Sequence, residues 1–255
     1  VRMFAPGDIA PDALVIPDFT LLWVIAIERY HRQSGDADTV ERIMPHVERA
    51  LAWFERHLGA HGLLNDVPHW HFIEWADLGR SGESAPINAL YAGALTAAAS
   101  LAETLDRPGL AARYGRRRDA VVAALNDRHW DDARGVYVDS VDPATGNQGR
   151  RVSQHANALM LAFGDVPIGR RPAILAAITD DRRLKLTAAP PIVPDGPPFD
   201  ETVDIVRANS FYAHFVYDGI AAAGRFDWVL DAMRDSYGPM LAAGASTLWE
   251  SFTPR

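Results

Sequence analysis

The sequence predicts an all-α chain built from successive antiparallel helix pairs. Three observations carry that reading. Apolar residues recur at helical spacing through most of the chain, in segments parted by short turns. Alternate segments differ in composition, one small and apolar, the next charged, as expected of inner and outer helices. Long loops recur at one end of alternate pairs, and no βαβ alternation is present, which argues against a parallel-sheet fold.

The elements follow in order. Residues 1–15, with Pro6, Gly7 and Pro11, read as an irregular lead-in. Ile16-Pro17-Asp18-Phe19 opens a first helix, with Asp18 as its cap and Leu21, Leu22 and Ile25 on its apolar face, and Ser34-Gly35-Asp36 ends it. A second helix is expected from about Asp38 to Leu58, with a kink at Pro45. Residues 59–84 form a long loop holding His69-Trp70-His71-Phe72-Ile73-Glu74-Trp75, partly as short strand. A loop of that length in a compact domain is usually functional or disordered, and its aromatic content argues against disorder.

An inner helix rich in alanine and glycine is expected over about Pro86–Leu105, and a charged outer one over about Pro108–Asn126, with Arg116-Arg117-Arg118 on a solvated face. His129 to Asp139 reads as a turn and short strand, in which Trp130 and Tyr137 serve packing. Helices are then expected over Val152–Phe163, Ile168–Ile178, Val203–Ala223 and Phe226–Ser236, with a proline-rich loop over residues 180–200.

Composition bounds the function. With 255 residues, 48% of them hydrophobic, the chain can bury a sizeable core as one domain over residues 1–255. A formal net charge of −8 argues against a nucleic-acid partner, which would meet a basic face. The absence of cysteine excludes disulfides and thiol catalysis. No apolar run reaches the roughly 18 residues of a membrane span, so no membrane partner is expected. No signal peptide is visible, so a cytoplasmic location is expected, although both ends look cut, as though more protein flanked them.

The stretch with the most chemistry is Gly244-Ala245-Ser246-Thr247-Leu248-Trp249-Glu250-Ser251-Phe252. A carboxylate beside large aromatic rings tends to be desolvated, which suits it to acid or base work. Rings beside a carboxylate also suit a sugar, with its apolar C–H faces and hydroxyl rim. The structural alternative is a helix N-terminus capped by Ser246 or Thr247. Glu74 and Trp75 pose the same choice between a sugar subsite and a loop anchor. His69 and His71, two apart, would share one face of a strand, but no third ligand is evident, so zinc is not expected. Glu83 reads equally as a charge near a helix N-terminus or a substrate contact. His155 and Asn157 read equally as hydroxyl donors or as buried, hydrogen-bonded side chains.

Taken together, Trp70 to Trp75, Gly82-Glu83, Asn88-Ala89-Leu90-Tyr91, Val152-Ser153-Gln154-His155-Ala156-Asn157-Ala158-Leu159 and Thr247-Leu248-Trp249-Glu250-Ser251-Phe252 resemble the catalytic domain of bacterial α-L-rhamnosidases, glycoside hydrolase family 78. The similarity runs from about Ile16 to Pro254. It implies an (α/α)6 toroid of helical hairpins, incomplete here, with short strands in the loops and a pocket at the mouth formed by those loops. It implies an inverting hydrolase that releases terminal α-L-rhamnose, with Glu250 as general base. Trp70, Glu74, Trp75, Glu83, His155, Asn157 and Trp249 would contact the carbohydrate, with no cofactor and no metal. Many members carry Asp-Trp where this chain has Glu74-Trp75. The family's general acid lies in an upstream acidic motif that Arg2 and Asp8 do not reproduce, which leaves it to a missing segment or to Glu74 or Glu83. The 255 residues alone are therefore expected to hydrolyse little. Two other readings stay open: a six-hairpin glucosidase of the trehalase or debranching type, and a non-catalytic carbohydrate-binding fragment.

Overall fold

The computed structural model describes residues 15–187 and 198–252. The lead-in before residue 15, with Arg2 and Asp8, and the prolines between residues 188 and 197 lie outside the described residues. Four helical hairpins follow one another. They are α1 (Pro17–Ser34) with α2 (Ala37–Glu55), and α3 (Ala85–Thr104) with α4 (Pro108–Arg128). Next come α5 (Gln154–Phe163) with α6 (Arg171–Ile178), and α7 (Ala213–Ala222) with α8 (Phe226–Ala242). The expected all-α class of paired antiparallel helices holds.

Local sequence explains the helix ends. Pro17 sits in the first turn of α1, where its missing N–H costs nothing, and Gly35 ends the helix in the left-handed region (φ 71°), returning its N–H to the carbonyl of His31. Asp36 caps α2 by accepting from the N–H of Thr39 at 3.0 Å. Pro45 lies inside α2, which nevertheless runs on to Glu55.

The odd-numbered helices pack side by side in the order α1, α3, α5, α7, with the even-numbered helices outside them. The central one, α3, is buried nearly all round, from Ala85 through Ala102. Its hydropathy and length match a membrane span, contrary to the sequence expectation that no run does so. Yet 83% of that span is buried inside the fold, the place of a core helix, because α1, α4 and α5 all pack on it. The close approach of α5 and α7 depends on a glycine. A Cβ on Gly219 would be driven into the backbone carbonyl of Ala158.

Among the described residues, the connections from each outer helix to the next inner helix carry six two-residue strands. Strands β1 (Glu83–Ser84) and β4 (Ser140–Val141) pair antiparallel, as do β2 (Trp130–Asp131) and β3 (Val136–Tyr137). Strands β5 (Leu184–Lys185) and β6 (Ile205–Val206) pair in parallel, and a bridge joins Ser153 to Val206. These pairings tie three successive loops into one platform at the N-terminal ends of the inner helices. Trp130 and Tyr137 pack with ring centroids 5.1 Å apart, as expected, under the guanidinium of Arg170.

Four expectations are corrected. Asp18 does not cap α1; it is buried and turned onto the aromatic loop. No strand forms over residues 69–75, because the carboxylate of Asp18 takes the N–H groups there. The helix expected over Val203–Ala223 begins only at Ala213, because Ile205 and Val206 pair with β5 and Asn209 and Tyr212 donate their backbone N–H groups to Glu74. The last helix also continues six residues past Ser236, through Pro239.

Gly219→Ala should lower stability by about 1–3 kcal/mol or more, since backbone rather than a flexible side chain must yield. An unchanged urea midpoint would show that α5 and α7 can separate freely.

Candidate functional site

The loop between α2 and α3 is shaped by buried polar side chains rather than by a backbone ladder. The two oxygens of the Asp18 carboxylate accept from the N–H groups of Phe72 and Ile73, at 3.0 and 2.9 Å. Burial pushes this carboxyl up to about 6, and the two N–H bonds pull it back only in part. Between them the donors hold Ile73 at φ 50°, an outlier for a β-branched residue. The guanidinium of Arg80 fills the inside of the same loop and donates to the carbonyls of His71, Phe72, Glu74 and Ala76, at 2.8 to 3.0 Å.

Glu74 follows Ile73 and is fully buried. Its Oε1 accepts from the N–H of Tyr212 at 2.7 Å. Its Oε2 accepts from Nε2 of His155 at 2.7 Å and from the N–H of Asn209. Beneath it Asp139 accepts from the hydroxyl of Ser153 at 2.7 Å and from the N–H of Gly79 at 3.2 Å. Burial pushes Asp139 up to about 6 as well.

Trp75, the next residue, points the other way. Its indole N–H donates to Oε1 of Glu250 at 2.8 Å. Glu250 is exposed, with no cation paired to it among the described residues. The ring of Trp75 lies 5.7 Å from Trp70 and 4.9 Å from Phe72, and Phe72 in turn contacts Phe19 and Phe211. One exposed carboxylate thus stands at the edge of an aromatic cluster, beside a half-buried Trp249.

The predicted residues therefore divide. Trp70, Trp75 and Glu250 come together, and Trp249 adjoins Glu250 along the chain. Glu250 is not desolvated between rings, and residues 245–252 form no helix, so neither Ser246 nor Thr247 caps one there. Glu74 does not face a shared cavity; three donors already occupy its carboxylate. Glu83 is also buried, paired with Nε of Arg128 and Nδ1 of His61, each at 2.7 Å. Asn157 spends its amide on the backbone N–H and carbonyl of Tyr137 and on the carbonyl of Ser153, fixing β3 to α5. His155 is buried against Glu74 and stacks 5.0 Å from Tyr212. His69 is exposed, whereas His71 is buried with Nε2 donating to the carbonyl of Val67, so the two share no face. A cavity of about 320 Å³ lies behind Phe252 among Arg207, Tyr217, Trp228 and Asp231, and neither Trp75 nor Glu250 lines it.

Sequence reasoning missed Arg80, Asp139, Asn209 and Ser210. Only the last two carried a signal, as a polar pair in an otherwise apolar segment.

Two outcomes follow from the buried network. Glu74→Gln replaces one acceptor oxygen by an amide that faces donors, and should cost about 1–3 kcal/mol of unfolding free energy. Urea denaturation that matches the parent would return Glu74 to the surface. The raised carboxyls of Asp18 and Asp139 hold their protons more tightly folded than unfolded. Their contribution is therefore greatest at low pH and is lost as pH rises from the ordinary value of 3.8 through about 6. The stability advantage of the parent over Asp139→Asn should shrink across that window. A difference constant over it would mean that Asp139 titrates as an ordinary carboxyl.

Comparison with known proteins agrees with the helical-hairpin fold. The family model described as the bacterial alpha-L-rhamnosidase 6 hairpin glycosidase domain matches residues 5–186, well over half of the chain and ending before the Glu250 segment. A GH78 family rhamnosidase of Bacillus sp. GL1 is similar at 26% identity and a TM-score of 0.78, over 94% of this chain and 23% of that one. A rhamnosidase from Klebsiella oxytoca, solved with rhamnose bound, shares the fold at 23% identity and a TM-score of 0.74, over 98% of this chain and 43% of that one. The chain thus spans less than half the length of either structure. No protein of curated function matches it. On the family match and the hairpin fold, the chain belongs to the bacterial α-L-rhamnosidase six-hairpin glycosidase family.

Proposed function

We propose that the chain supplies the sugar-binding floor and the general base of an inverting α-L-rhamnosidase, with Glu250 activating the attacking water. The observation that carries this reading is the bond from the Trp75 indole to the exposed Glu250 carboxylate, at the edge of the Trp70–Phe72–Trp75 cluster. A deoxysugar has one face of C–H groups and a methyl, which aromatic rings accept, and hydroxyls that a carboxylate accepts. The Klebsiella relative was solved with rhamnose bound, which supports that sugar over glucose.

Inversion needs an acid for the leaving oxygen and a base for water on the opposite face, roughly 6.5–9.5 Å apart. Glu250 has the exposure and the free lone pairs of a base. Glu74 and Glu83 are poor candidates for the acid, since each is buried with both oxygens engaged. The acid then comes from a segment outside the described residues. Because Glu250 is the one described carboxylate hydrogen-bonded to a ring of the aromatic cluster, binding of rhamnose without turnover is the second reading.

The test uses an aryl α-L-rhamnoside with the 255-residue chain and with the longest reading frame that contains it. In the active form, Glu250→Gln should lower kcat by about 10²–10⁴-fold while the melting temperature holds, as expected for an exposed side chain. Turnover that survives the substitution would remove Glu250 from the chemistry. Rhamnose binding by a chain that never turns over would support the second reading, and preference for an aryl glucoside would replace the substrate.

A further inference from the structure

Residues 245–252 form neither helix nor strand, so nothing in regular secondary structure fixes the direction of Glu250. Their polar groups find partners instead on two consecutive side chains just before α7. The Ser210 hydroxyl donates to the carbonyl of Trp249. The Asn209 side chain donates through Nδ2 to Oγ of Ser251 at 3.1 Å and accepts at Oδ1 from the N–H of Phe252. The grips therefore fall on both sides of Glu250, at positions 249, 251 and 252. Both gripping residues are nearly inaccessible, at 4% and 8% exposure. Helix α8 backs them: the Tyr237 hydroxyl donates to the carbonyl of Ser210 at 3.2 Å, and its ring meets Phe252 edge-on at 5.2 Å.

The grip has a fixed origin, because the N–H of Asn209 is bonded to the buried carboxylate of Glu74. Contacts then close into a ring: Glu74 to Asn209, Asn209 to Ser251, Ser251 by covalent bond to Glu250, Glu250 to the Trp75 indole, and Trp75 by covalent bond back to Glu74. A carboxylate on irregular backbone would otherwise sample several directions, at an entropic cost to holding any one of them. We propose that Asn209 and Ser210 are positioning residues that hold Glu250 against Trp75, aiming the base without touching the sugar. The proposal rests on Glu250 being the base, and its structural half can be read independently of activity.

The readout is the indole N–H resonance of Trp75 in the ¹⁵N-labelled 255-residue chain, assigned by its disappearance in Trp75→Phe. Ser210→Ala should shift that resonance toward the water-exposed position, with the indole of Trp130, bonded locally to Asp132, unmoved. Ser210→Thr keeps the hydroxyl and should restore the parent position. In the active form Ser210→Ala should lower kcat by up to about 10²-fold, the scale of a misplacement near 1 Å, with KM little changed. Asn209→Ala should do the same where it folds, and Ser210→Ala decides the matter where it does not. A Trp75 resonance unmoved in Ser210→Ala overturns the proposal, and so does an equal shift in Ser210→Thr. Should Ser210→Ala shift Trp75 while Glu250→Gln leaves turnover intact, the clamp stands and the base assignment falls.

Discussion

The buried carboxylate of Glu74 is the interaction on which the site depends. It accepts from a side chain at the start of α5 and from two backbone N–H groups before α7, residues 81 to 138 positions away in sequence. No backbone ladder joins these segments: Glu74 and Asn209 lie on irregular backbone, and His155 lies in the first turn of α5. A buried charge is costly unless paired and hydrogen-bonded, and three donors meet that demand. The same solution recurs nearby. Asp18 takes two backbone N–H groups, Arg80 covers four carbonyls, and Asp139 joins Gly79 to Ser153. The mouth of the hairpin array is thus an irregular backbone stitched by ionised or titratable side chains, standing on a ring of apolar helices.

That construction lets two neighbouring residues face opposite ways. Asp18 and Arg80 hold the turn at Phe72 and Ile73, and the left-handed conformation of Ile73 sends Glu74 inward and Trp75 outward. Strain of this kind costs on the order of 1–3 kcal/mol and persists only where the surroundings over-determine it. Here they do, since Asp18 of α1 accepts from the N–H groups and Arg80, later in the same loop, donates to the carbonyls.

The helices were largely legible because burial on one face repeats at a helical period, as in Leu21, Val24 and Ile25 or Val40, Met44, Val47 and Leu51. The late start of α7 was not, since residues 203–212 have apolar spacing compatible with a helix and lose it only to β5 and Glu74, partners distant in sequence. The aromatic half of the candidate site was legible because Trp70, Trp75 and Trp249, each half-buried, are too many large rings for loops with no other use. Its polar half stayed open between substrate contact and scaffold. Glu74, Glu83 and Asn157 have side chains suited to a sugar, and local sequence cannot tell an acceptor that awaits a hydroxyl from one already saturated by backbone N–H groups. Asp18 was mistaken for a cap, because an acidic residue in a first turn looks like one.

What separates Glu250 from these other carboxylates is the number of donors, not the company of rings. A carboxylate that accepts from three N–H groups has its lone pairs engaged and little room for an attacking water. One held by a single indole N–H is oriented but keeps most of its lone pairs. The fold meets both needs with adjacent residues: Glu74 is committed wholly to the scaffold, and Trp75 spends one donor on direction. Additional grips on Glu250 itself would aim it better and weaken it as a base. Placing those grips on the backbone at 249 and 252 and on the side chain at 251 fixes the carboxylate while leaving its oxygens to the solvent.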